Sequence, residues 1–173
     1  MYALEVPPTR RLPVLQNASP DEERPAWHWV PIGVLFMISI WAPLAMVASW
    51  GSAHWVRRIL GDLPPDELSM RLADASGADR FAIGFAVTVV PVLAFALACM
   101  AGGALVGRFG GRASAREAAL GGALTALAGA GLTLLQGSAT AAIASFLVLG
   151  PVGVGAAWVG GRLGWRLRGR AAL

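Results

Sequence analysis

The sequence predicts an all-α, polytopic integral membrane protein with four transmembrane helices, both termini cytoplasmic, and a short interfacial helical loop between helices 1 and 2. Two gaps in the charge map lead there. No Asp, Glu, Arg or His lies between Arg80 and Arg108, and none lies between Glu117 and Arg162. One helical crossing needs about 20 apolar residues. The first gap therefore holds one crossing, and the second, residues 118–161, holds two that turn at Gln136-Gly137-Ser138-Ala139-Thr140. The third observation is where the arginines fall. With the N-terminus inside, ten of them sit in cytoplasmic segments and only Arg57, Arg58, Arg71 and Arg80 sit in the outer loop, as the positive-inside rule requires.

Composition sets the outer bounds. With 56% hydrophobic residues in 173, the chain reads as one membrane domain over 27–173, preceded by a disordered cytoplasmic tail over 1–26. That tail carries five prolines and the run Asp21-Glu22-Glu23, so neither helix nor strand propagates through it. It has no early apolar stretch before a small-residue cleavage site, which predicts an uncleaved first span. Every basic residue is Arg, and Ala and Gly are abundant; this bias fits a GC-rich bacterial genome and a bacterial inner membrane. Nucleic acid is excluded as a partner because the arginines sit at the ends of apolar spans rather than among solvent-facing aromatics.

The first span, about 31–50, is bracketed by Trp27 and Trp29 on one side and Trp50 and Trp55 on the other, and indole rings favour the headgroup level. Pro43 sits mid-span, where a missing N–H predicts a kink. In the outer loop, 51–80, Trp55, Val56, Ile59 and Leu60 recur at helical spacing opposite Arg57 and Arg58, so the first helix is expected to run on along the surface to Gly61. Pro64-Pro65-Asp66-Glu67 then starts a second short helix, which Ser76-Gly77 is expected to end. The remaining spans are about 81–106 with Pro91, 118–135 without proline, and 141–163 with Pro151. The third is weakly hydrophobic and poor in bulky side chains, which predicts a position between other helices.

Three motifs stand out. Ser114-Ala115-Arg116-Glu117 precedes the third apolar run and has the capping-box pattern, giving Ser114 and Glu117 a structural task. Small residues at four-residue intervals run along Gly103, Gly107 and Gly111, along Gly153, Ala157 and Gly161, and through Gly160 and Gly164; such stripes let helix backbones approach closely. Finally, Arg108, Arg112, Arg116, Arg162 and Arg166 fall at the cytoplasmic edge, where anionic lipid headgroups are the expected ligands. The pattern Gly-Arg-x-Gly-x-Arg occurs at both 107–112 and 161–166, explained by duplication of a helical hairpin or by convergence under the positive-inside rule.

No catalytic, cofactor-binding or metal-binding set emerges. His28 and His54 belong to opposite faces of the bilayer, the acidic residues of the outer loop alternate with arginine, and Cys99 reads as a small buried hydrophobe. A non-catalytic accessory or assembly subunit, packing against partner membrane helices through its small-residue faces, is the expected function. The alternative is a small oligomeric transporter or channel that works without proton-coupling carboxylates, lined by such residues as Ser39, Thr88, Thr125 and Ser145.

Overall fold

The computed structural model describes residues 25–111 and 113–170; most of the expected N-terminal tail, and Arg112, lie outside the described residues. Among these residues all regular secondary structure is helical and there is no strand. A single 3-10 turn, Ala26–His28, leads into α1, Trp29–Leu60. Then come α2, Pro65–Asp74, α3, Gly77–Gly84, a π-helical segment, Phe85–Val89, and α4, Val90–Phe109. Two further helices, α5, Ala115–Leu135, and α6, Ala139–Arg170, complete the bundle. Four helical rods, α1, α3 through α4, α5 and α6, are long and apolar enough to cross a membrane.

The rods differ in length for physical reasons. At about 1.5 Å rise per residue, the 21 residues of α5 just match a hydrocarbon core of about 30 Å. The 32 residues of α1 and of α6 overshoot it by more than two turns. α1 continues unbroken past Trp50 to Gly61, which ends it at φ 90°, a conformation that favours glycine. Ser76, expected to end α2, instead starts α3: its hydroxyl accepts from the Asp79 N–H at 3.2 Å. An N-cap serine with a carboxylate in the first turn outweighs Gly77 as a stop signal. The second long rod therefore begins at Gly77, four residues before 81.

The prolines also diverge. Pro43 and Pro151 sit inside uninterrupted helices, whereas Pro91 follows the π-helical segment. In that segment Val90 N–H bonds the Phe85 carbonyl five residues back, so the next acceptor in register is Ala86. Residue 91, being proline, has no N–H to give it. The Ser52 hydroxyl of α1 donates to the Ala86 carbonyl at 2.6 Å and satisfies the orphan. This is the membrane tolerance of proline in atomic form: a neighbouring helix supplies the missing donor.

α6 packs along both α4 and α5, and α1 lies against the other side of α4 and α5. The core is formed by Met37, Phe95, Cys99, Ala126 and Ala157, with Trp41 packed at its edge. Thr125 is fully buried there and donates to the Gly121 carbonyl at 2.8 Å, its own helix. α5 does not lie wholly between other helices. Ala118, Gly122, Ala126 and Ala130 are buried, but Leu120, Leu124 and Leu127 are exposed on its other face. Sorting by size, small inward and leucine outward, leaves one side of the third span free.

Candidate functional site

Close backbone approach organises the bundle. A Cβ added at Gly103 would strike the Ala157 carbonyl, one at Gly107 the Gly161 carbonyl, and one at Gly164 the Ala104 carbonyl. Gly160 faces the Met100 carbonyl in the same way, and Gly153 and Gly122 face each other's backbone across α5 and α6, at 2.8 Å for a Cβ on Gly153. The small-residue stripes are thus occupied inside the chain, which removes them as faces offered to partner helices. Gly111 does not belong with them. It is exposed in the turn after α4, has φ 56°, and no atom within 4 Å of its would-be Cβ.

That turn also separates the arginines. α4 stops at Phe109 and α5 starts at Ala115, so Arg108 and Arg116 occupy different helices rather than one face. The equivalent glycine and arginine pattern in α6 stays helical through residue 166, so the two copies of Gly-Arg-x-Gly-x-Arg have different backbones. Arg108 is exposed and lies 5.5 Å from the centroid of the Phe109 ring. Arg166 is exposed on α6.

Arg116 and Arg162 do share a cleft. They line a cleft of about 270 Å³ with Ser114, Ala115, Trp158 and Trp165, between the start of α5 and the last turns of α6. Arg162 stacks over Trp158, its guanidinium carbon 4.1 Å from the ring centroid, a geometry that holds the planar fork in place. Ser114 is committed to capping: its N–H and its hydroxyl both reach Glu117 Oε2 at 2.6 Å, and its oxygen accepts from the Arg116 N–H at 3.2 Å. Glu117 is thereby turned toward the cap. A cleft lined by two arginines and two indoles has the donors to take an anionic group, which forked guanidinium donors bind bidentately.

Three functional side chains carry no signal in the sequence. Arg168 of α6 donates to the Gly107 carbonyl at 2.5 Å and to the Gly111 carbonyl, capping the end of α4. Arg80 does the same for α2, donating to the Ala75 carbonyl at 3.0 Å and the Ala73 carbonyl at 2.5 Å. Ser52 is the third. Each joins elements far apart along the chain or acts on carbonyls whose orphan state depends on where a helix stops, so no local pattern marks it. Among the described residues no group of three or more His, Cys, Asp or Glu could hold a metal ion.

Four rods of this length and apolarity fit a multi-pass membrane protein. Comparison with known proteins finds no matching family model, no matching curated sequence and no matching solved structure.

Proposed function

We propose that this chain is a non-catalytic structural subunit of a bacterial inner membrane, threaded with both termini cytoplasmic and α2 at the outer surface. It acts as an accessory or assembly protein that grips anionic lipid at its inner end and offers its free helix faces to other membrane proteins. One observation carries this reading: the backbone-to-backbone seams at Gly103, Gly107 and Gly122 close α4, α5 and α6 upon one another. A seam packed to that density favours a rigid scaffold over a moving one. The leucine face of α5, with Leu120, Leu124 and Leu127, is the partner face consistent with it. The Arg116 and Arg162 cleft supplies the lipid contact, each arginine contributing about 1 kcal/mol at an anionic surface.

The second reading, a small oligomeric transporter or channel, is favoured by one feature, the π-helical break before Pro91, since such breaks cluster at functional sites. Purification in mild detergent separates the two. A foreign subunit at fixed stoichiometry supports the scaffold, and a pure homo-oligomer supports the transporter. For threading, a phosphatase reporter after Leu173 is expected to be inactive and one after Gly77 active; activity at Leu173 would exclude four crossings with the N-terminus inside.

A further inference from the structure

The cleft at the start of α5 has a composition that narrows its ligand. Trp158, Arg162 and Trp165 are spaced four and three residues apart, so they share one face of α6, and all three line the cleft with Arg116 of α5. The two helices lie close there: a Cβ on Gly161, next to Arg162, would come within 3.0 Å of the Cα of Ala115, next to Arg116. Arg162 is held in place by its stack over Trp158 at 4.1 Å. Among the described residues that line the cleft, two are cationic and none is acidic. The one carboxylate of α5, Glu117, accepts from the Ser114 N–H and hydroxyl at 2.6 Å, so it is occupied by the cap. Two positive charges therefore face the space without an internal counter-charge.

Size and charge together select the ligand. Rounded, a space of about 270 Å³ is about 8 Å across, the span of two guanidinium groups that share one phosphate through N–H···O bonds of about 2.7–2.9 Å. A phosphodiester headgroup brings two free oxygens and a single negative charge. A phosphomonoester brings three free oxygens and a charge of about −1.5 to −2 at neutral pH, which meets two forked donors on both counts. We infer that this cleft is a phosphomonoester site, its ligand a dianionic phosphate group set between Arg116 and Arg162 and edged by the indoles of Trp158 and Trp165. The inference rests on the anionic-lipid reading of the cleft and narrows it from any negative headgroup to one class. The phosphate belongs to a phosphatidate-type lipid or is free in solution, and the two sources share this chemistry.

Native mass spectrometry of delipidated protein in neutral detergent tests this with three lipids of identical chains: phosphatidate, phosphatidylglycerol and phosphatidylcholine. Wild type is expected to retain phosphatidate roughly tenfold more than phosphatidylglycerol at pH 7.5, the scale of one further hydrogen bond between charged groups. The preference is expected to shrink toward equality at pH 5, because the second proton of a phosphomonoester leaves near pH 6. R116K/R162K keeps the charge without the forks and is expected to lose the preference for phosphatidate, while R108K/R166K, changed outside the cleft, keeps it. Excess inorganic phosphate identifies the source: phosphatidate that stays bound assigns the lipid, and its replacement by a phosphate adduct assigns the free ion to the same site. Equal retention of phosphatidate and phosphatidylglycerol, both above phosphatidylcholine, overturns the phosphomonoester assignment and leaves the anionic-lipid reading standing. Equal retention of all three overturns both. A phosphatidate preference that survives in R116K/R162K, or that is unchanged at pH 5, also overturns the assignment.

Discussion

Replacing Arg168 by Ala tests whether the far end of α6 holds the end of α4. The last carbonyls of any α-helix lack intrahelical donors, and here the Gly107 and Gly111 carbonyls receive the two Nη groups of Arg168. A positive group at a helix C-terminus is also favoured by the helix dipole, by about 0.3–1 kcal/mol. Hydrogen bonds to a charged group contribute about 1.5–3 kcal/mol each. The bond to Gly111 lies in the exposed turn, where water replaces the guanidinium at little cost. The bond to Gly107 is partly buried and sets the loss, roughly 2 kcal/mol in all. Part is returned because the Nε of Arg168 is buried without a hydrogen-bond partner, and the alanine variant no longer buries it. For a domain of this size, about 2 kcal/mol lowers Tm by roughly 4–8 °C. Thermal unfolding in one detergent, followed by circular dichroism, reads this directly. R168K keeps the charge but cannot reach both carbonyls with one point donor, so about half the loss is expected. R166A, two residues away and exposed, serves as the control and is expected to leave Tm unchanged. An R168A variant that melts with wild type would refute the capping argument, because it would mean that water serves the α4 carbonyls as well as the guanidinium does.

Gly103→Ala and Gly155→Ala form a matched pair of helical glycines in different surroundings. The first would drive a Cβ into the Ala157 carbonyl, whereas the second meets nothing within 4 Å. G103A is expected to lose about 1–3 kcal/mol through overpacking and G155A to gain up to about 1 kcal/mol in helix propensity, both read as Tm; equal effects would assign the seam to composition alone. Ser52→Ala is expected to cost about 0.6–1.5 kcal/mol, since it strands the Ala86 carbonyl. In a Pro91→Ala background residue 91 regains its N–H, so the cost of Ser52→Ala is expected to fall toward zero. A double-mutant cycle measures the coupling, and additive losses would contradict the account of the orphaned carbonyl.

Some of this architecture follows from the sequence alone. The number of long apolar rods, the turns after Leu60 and at Gln136-Gly137, and the Ser114–Glu117 cap were legible because each is local. Charge gaps report transfer cost residue by residue, and caps act within one turn. Boundaries were less legible where two local signals competed, as at Ser76-Gly77, where capping geometry prevailed over glycine. The local consequence of each proline was less legible for a related reason. Proline predicts a missing donor, but whether the helix bends, changes register or borrows a hydroxyl depends on its neighbours, and only at Pro91 does it change register.

Pairing was beyond the sequence. The stripes of Gly103, Gly107, Gly153 and Gly160 show that some backbone comes close, yet helical periodicity does not say whether that backbone belongs to the same chain or to a partner. The tertiary structure assigns it to α4, α5 and α6 of this chain. It also divides four similar arginines: Arg116 and Arg162 line one cleft across two helices, and Arg108 and Arg166 stand apart. Arginine placement along the chain records which ends of the rods lie at one membrane face, because transfer of charge across the bilayer is costly wherever it occurs. Which arginines converge depends on the rotation of each helix about its axis, and that rotation is set by the small-residue seams, where the loss of a single Cβ decides how near two backbones can lie.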